Sequence, residues 1–238
     1  EALRYYEKAL ANFYRLNDIY GLTIALTNIG SIYHEIFGDI KRAYVYYEKS
    51  YQYSRKTGDP FSEAEGLLAM AEMHWQMENR RAFVQDIAIL NRLMPGIKSA
   101  ELSAIFVLAQ IKLRAWNGDL PGVRLKADEL RALLRRIKND LLIMESIAAL
   151  INIIYQYDPS GSLDKITPPV RSIEKTLRKI ESPLKQVKIL RALVKYHLLA
   201  GNPARAGRYF RGWEDISARY GIKGEAEEIA ALRPKIQI

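Results

Sequence analysis

No cysteine occurs anywhere in the 238 residues. That excludes disulfides, thiolate nucleophiles and cysteine-bound zinc, and it fits a reducing compartment, so the cytoplasm is the expected location. Long apolar runs are missing too. No stretch reaches the roughly 18 apolar residues of a membrane-spanning helix, and the longest uncharged run, Ile19 to His34, is broken by Thr23, Thr27, Asn28 and Ser31. No basic segment followed by an apolar one opens the chain, so no secretory leader is expected. A glycine-rich phosphate loop, a G-x-S-x-G elbow and an H-E-x-x-H pair are all absent. The three histidines, His34, His74 and His197, stand in separate segments and read as packing or surface groups. These absences lead us to expect no enzyme, no cofactor and no bound metal.

What is present is enough for an ordinary core: 49% of residues are hydrophobic and 26% charged. The net charge of +9 is one-sided. Residues 1–119 hold 14 Lys/Arg and 14 Asp/Glu, whereas residues 120–238 hold 22 and 13. Such asymmetry speaks of partners, not of fold.

Self-similarity organises the chain. Tyr5-Tyr6-Glu7-Lys8 returns as Tyr46-Tyr47-Glu48-Lys49, an offset of 41, and Ala2 then falls on Ala43. Turn signals recur in two interleaved series. One runs Gly38-Asp39, Glu78-Asn79, Gly118-Asp119, Asp158-Pro159 and Gly201-Asn202; the other runs Gly58-Asp59, Pro95-Gly96, Asn139-Asp140, Ser182-Pro183 and Tyr220-Gly221. Two turns per period of about 40 residues leave segments of helical length. Leu22, Ala25, Leu26, Ile29, Ile32, Tyr33 and Ile36 step by three or four, as one buried helical stripe requires. Pro60, Pro121, Pro183 and Pro203 follow turn signals, where a first-turn proline is tolerated. Gly58, Gly118 and Gly201 suit helix ends that need positive φ. The stretch from Asp158 to Pro169 reads as a longer loop, with Thr167 placed to cap the next helix. The expectation is about twelve helices in about six pairs, ending in a short helix from Glu225 to about Arg233. Because the chain starts with Glu1, it is expected to be a fragment beginning within a repeat.

The pairs resemble tetratricopeptide repeats. That family sets a small residue in the first helix, an aromatic three positions on, and a small residue opening the second helix. Gly30, Tyr33 and Ala43 fit, as do Ala192 and Ala206, and Ala71 and Ala82 with His74 in the aromatic slot. The period departs from the family's 34 residues, Lys112 and Lys195 replace the aromatic in two repeats, and the pair over 141–181 matches poorly. The chain is similar to long-repeat relatives such as sensor regions of bacterial transcription regulators. HEAT and armadillo arrays, with periods of about 40–47, are the competing reading. The resemblance implies an all-α superhelical solenoid forming one domain over 1–238. Its first helices would line a concave wall that takes a peptide or helix of a partner protein.

Several residues are candidates for that contact. Lys188, Arg191 and Lys195 follow i, i+3, i+7 on one helical face, and Lys112 occupies the slot of Lys195 two repeats earlier. Three cations on one face repel one another, so an acidic partner is expected there; a neighbouring carboxylate is the alternative, Glu181 and Asp140 being nearest in sequence. Asn28, two residues before Gly30, is similar to the inward asparagine that such repeats use to hold a peptide backbone. A second group, Arg124, Arg131, Arg135 and Lys138, then Arg171, Lys175 and Arg178, forms a basic ridge on second-position helices. It reads as a solvated convex face, or as a ridge that meets acidic protein, nucleic acid or an anionic membrane surface. The tyrosines Tyr5, Tyr6, Tyr44, Tyr46, Tyr47, Tyr51 and Tyr53 read as inter-helix packing, with base stacking as the alternative. The leading expectation is a protein-interaction module. Its rivals are a regulatory sensor domain of a larger signalling or transcription protein, holding a small effector or peptide, and nucleic-acid binding by the basic half.

Overall fold

The computed structural model describes residues 1–159, 170, 173–174, 177–222 and 225–236, the side chain of Arg178 excepted. Among these residues there are eleven α-helices and no strand. They are α1 (Ala2–Leu16), α2 (Ile19–Glu35), α3 (Ile40–Thr57), α4 (Pro60–Gln76), α5 (Arg80–Leu93), α6 (Ala100–Trp116), α7 (Leu120–Leu134), α8 (Asp140–Tyr157), α9 (Pro183–Leu199), α10 (Pro203–Tyr220) and α11 (Ala226–Leu232). Short 3-10 turns stand at Met94–Gly96, Leu177–Lys179 and Arg233–Lys235. Thr167 and most of the expected 158–169 loop lie outside the described residues.

One local device starts nearly every helix. Asp18, Asp39, Asp59, Asn79, Ser99, Asp119, Asn139, Ser182 and Asn202 each accept a bond from the backbone N–H three residues on, at 2.9–3.4 Å. Each satisfies an N–H that the helix itself cannot, worth about 1 kcal/mol. From Asp39 to Asn139 the caps come at every twentieth residue, so the helix-pair period is built from two equal beats. The residue just before the cap is left-handed at Asn17, Gly38, Gly58, Glu78, Gly118 and Gly201, with φ between 50° and 73°. One such residue plus one cap reverses the chain. Pro95-Gly96 falls in its own 3-10 turn, and the cap of that junction is Ser99.

The chain divides into two compact units, Glu1–Gln110 and Ile111–Ile238, the boundary falling inside α6. In the first unit each helix from α1 to α4 packs on the next in sequence. Leu22, Ala25, Leu26, Ile29 and Ile32 of the expected stripe are buried. Ile36 is 60% exposed, because it is the C-cap of α2, where the stripe runs off the helix. Gly30 explains its own presence: a Cβ there would stand 2.9 Å from the ring of Tyr47. The Tyr47 hydroxyl lies 3.0 Å from Ser31 Oγ, and burial pushes it up to about 12. Ser50, also on α3, meets Thr27 Oγ1 at 2.7 Å and donates to the Thr23 carbonyl at 3.0 Å. Small residues and hydroxyls thus let α2 and α3 approach closely.

In the second unit α8 packs on α9, α9 on α10 and α7 on α8. The core of its last part joins Val187, Leu190 and Val194 of α9 to Phe210 and Trp213 of α10. Helix α8 has the length and composition of a membrane-crossing helix, with a mean hydropathy of 1.2 over 18 residues. Its apolar surface is used internally: Met144, Ile147, Ala148, Leu150, Ile151, Ile153 and Ile154 are all buried.

Candidate interaction surface

Helix α9 carries two kinds of side chain on neighbouring faces. Val187, Leu190 and Val194 enter the core, while Lys188, Arg191 and Lys195 are half-buried beside them. The last two cations are gathered into one polar cluster by two other segments. Arg191 Nη1 reaches Glu225 Oε1 at 3.5 Å and Glu228 Oε2 at 3.2 Å. Lys195 Nζ reaches Glu228 Oε1 at 2.5 Å and donates to Asn152 Oδ1 of α8 at 2.9 Å. It also stands 5.6 Å from the centre of the Tyr155 ring. Burial lowers the pKa of Lys195, the Glu228 carboxylate opposes that fall, and the neighbouring Arg191 charge adds to it.

The carboxylates come from the C-terminal segment of the unit, Glu225 to Ile236. Glu225 Oε2 also accepts from Trp213 Nε1 of α10 at 3.0 Å, which ties the start of α11 to the core indole. Leu232 and Ile236 are buried against Val187, Leu190, Val194, Phe210 and Trp213. Lys235 Nζ donates to the Tyr155 hydroxyl at 3.1 Å, and Arg233 pairs with Glu214. Within this cluster the Nε of Arg191 is buried and has no hydrogen-bond partner among the described residues. Lys188 has no ion pair among the described residues.

The structure distributes the five residues expected to meet a partner. Arg191 and Lys195 meet in this cluster, and the alternative of an intramolecular carboxylate is realised through Glu225 and Glu228 instead of Glu181 or Asp140. Lys188 flanks it on the same helix. Lys112, at 7% exposure, is buried in α6. Asn28 lies half-buried on α2 in the first unit. Sequence reasoning passed over Glu225 and Glu228, though a signal was present. Glu225, Glu228, Leu232 and Ile236 follow i, i+3, i+7, i+11, one stripe of a helix.

The basic ridge is partly answered from within. Arg124 grips Asp158 with two nitrogens, at 3.0 and 3.1 Å, joining α7 to the end of α8. Arg131 lies 3.5 Å from Asp128. Helix α7 ends at Leu134, so Arg135 is its C-cap and Lys138 sits in the following loop, both exposed. Arg171, Lys175 and the side chain of Arg178 lie outside the described residues.

The remaining chemically interesting groups are tied into the helix contacts. His74 Nδ1 meets Asp86 Oδ2 at 2.6 Å, both side chains under 10% exposed, and so staples α4 to α5. His197 Nε2 meets Glu174 at 2.9 Å and stacks on Tyr209; burial lowers its pKa. His34 meets Gln76 at 3.1 Å. Tyr33 stacks on Tyr46 at 5.4 Å, and Tyr44 lies against His74. Among the described residues no three His, Asp or Glu side chains converge as metal ligands would. No family model and no curated protein matches this chain.

Proposed function

We propose that this chain is a non-catalytic protein-interaction module, its helix pairs tetratricopeptide-like repeats. The basic face of α9, flanked by Asn152 and Tyr155 of α8, takes an acidic helix or peptide of a partner protein. One observation carries the reading: the chain's own acidic segment is held on this face by the chemistry a partner would use. Carboxylates answer Arg191 and Lys195, and aliphatic side chains enter the adjoining apolar surface. Such a mixed surface anchors a helix by apolar burial and sets its register by charge. Lys188, which has no carboxylate partner among the described residues, extends the basic face for a longer ligand.

The test is fluorescence anisotropy with a panel of acidic amphipathic helical peptides and neutral counterparts. The wild-type chain should bind the acidic set alone, and the double substitution Arg191→Glu with Lys195→Glu should weaken binding at least about tenfold, the loss expected of a broken charge-assisted contact, with helicity by circular dichroism unchanged. Equal binding by the doubly reversed chain would show that the surface is elsewhere.

A further inference from the structure

We propose that α11 is a resident occupant of this surface, displaced by a partner helix that carries the same stripe: two carboxylates three residues apart, then aliphatic residues at +7 and +11. The inference rests on the reading above and adds to it both the pattern of the partner and the state of the free protein.

Four observations support it. First, Glu225, Glu228, Leu232 and Ile236 lie on one side of the segment and make its contacts with Arg191, Lys195 and the apolar core, while Ala226, Glu227, Ala230 and Ala231 on the other side are exposed. A foreign helix with that stripe meets the same groups. Second, α11 is only 7 residues long, well below the length at which a helix holds itself in water. Its order therefore comes from docking, and undocking unravels it. Third, its grip on Arg191 is incomplete. Both carboxylates approach through Nη1 alone, at 3.2 and 3.5 Å, and the buried Nε has no partner among the described residues. A carboxylate set to accept from Nε and a terminal nitrogen together makes the stronger bidentate pair, so a better-placed ligand has an advantage that α11 does not use. Fourth, Arg191 and Glu228 are 27% and 30% exposed at the side chain, and ion pairs with that much solvent contact hold weakly.

The experiment uses the full chain and a fluorescein-labelled peptide with the sequence of residues 225–236, EAEEIAALRPKI. In the wild type, α11 competes, so the peptide binds weakly. In the chain carrying Glu225→Gln and Glu228→Gln the resident segment is loosened, and affinity should rise about fivefold to tenfold, since several partly exposed charged contacts to Arg191 and Lys195 are lost together. Hydrogen exchange on the wild type supplies a readout that needs no variant: amides of Ile229 to Leu232 should exchange faster at peptide saturation. Equal affinity for both chains, with those amides still protected, overturns the inference while leaving the proposed function intact, because the peptide then binds without displacing anything. Absence of peptide binding to either chain also overturns it, and the acidic panel with the Arg191/Lys195 reversal decides the function separately. A concentration-dependent dimer of the Gln variant by light scattering would make a second copy the occupant and would equally overturn it.

Discussion

Glu78 stands where the two preceding junctions of the first unit use glycine. It is the residue before the Asn79 cap and has φ 55°, against 64° at Gly38 and 68° at Gly58. An L-residue in the left-handed region costs about 1–2 kcal/mol, from the approach of Cβ to the following carbonyl oxygen. Glycine escapes that cost but loses about 0.4–1 kcal/mol more on folding, because its unfolded chain is freer. The difference predicts that Glu78→Gly stabilises the protein by about 0.5–1 kcal/mol, a rise in Tm of about 1–4 °C for a chain of this size. The Glu78 side chain is exposed and makes no hydrogen bond or ion pair among the described residues, so little is lost with it. Gly118→Ala is the reverse control. A Cβ at Gly118 would meet nothing within 4 Å, and φ there is 73°, so its expected loss of about 1 kcal/mol is purely conformational. Thermal and urea unfolding followed by far-UV circular dichroism would measure both. A Tm for Glu78→Gly that is unchanged or lower, with the cap intact, would refute the account of these junctions.

Two further outcomes concern the α2–α3 contact. Gly30→Ala gains up to about 1 kcal/mol of helix propensity but drives a Cβ to 2.9 Å from the Tyr47 ring, an overpacking worth about 1–3 kcal/mol; the urea midpoint should fall, and a rise would mean that the ring simply steps aside. For Tyr47, burial favours the neutral phenol in the folded state, at about 12 against the ordinary 10.0. Its contribution is therefore complete below pH 10 and is lost as the pH climbs from 10 toward 12, by at most about 2–3 kcal/mol. Tyr47→Phe should lose about 1 kcal/mol at neutral pH with the Ser31 hydrogen bond and show a shallower decline in alkali than the wild type. Parallel declines would assign that loss to other tyrosines.

The sequence by itself determined the helices and their ends. The stripe from Leu22 to Ile32, the prolines at first turns, and the glycines at Gly58, Gly118 and Gly201 act within one or two turns of chain, so their effect can be read from spacing alone. Even the short helix after Glu225 was legible in this way. Tertiary structure decided which charges are answered and by what. Lys195, whose place in the repeat register the spacing likens to that of Lys112, meets the Glu228 carboxylate and the Asn152 amide. Arg191 and Lys195 are joined to Glu225 and Glu228, more than thirty residues away. Such pairs depend on how the segment after α10 turns back onto α9, a packing choice set by Leu232, Ile236 and the Trp213 indole. Helical periodicity records which face of a helix is buried; the partner that buries it is chosen only when the helices meet.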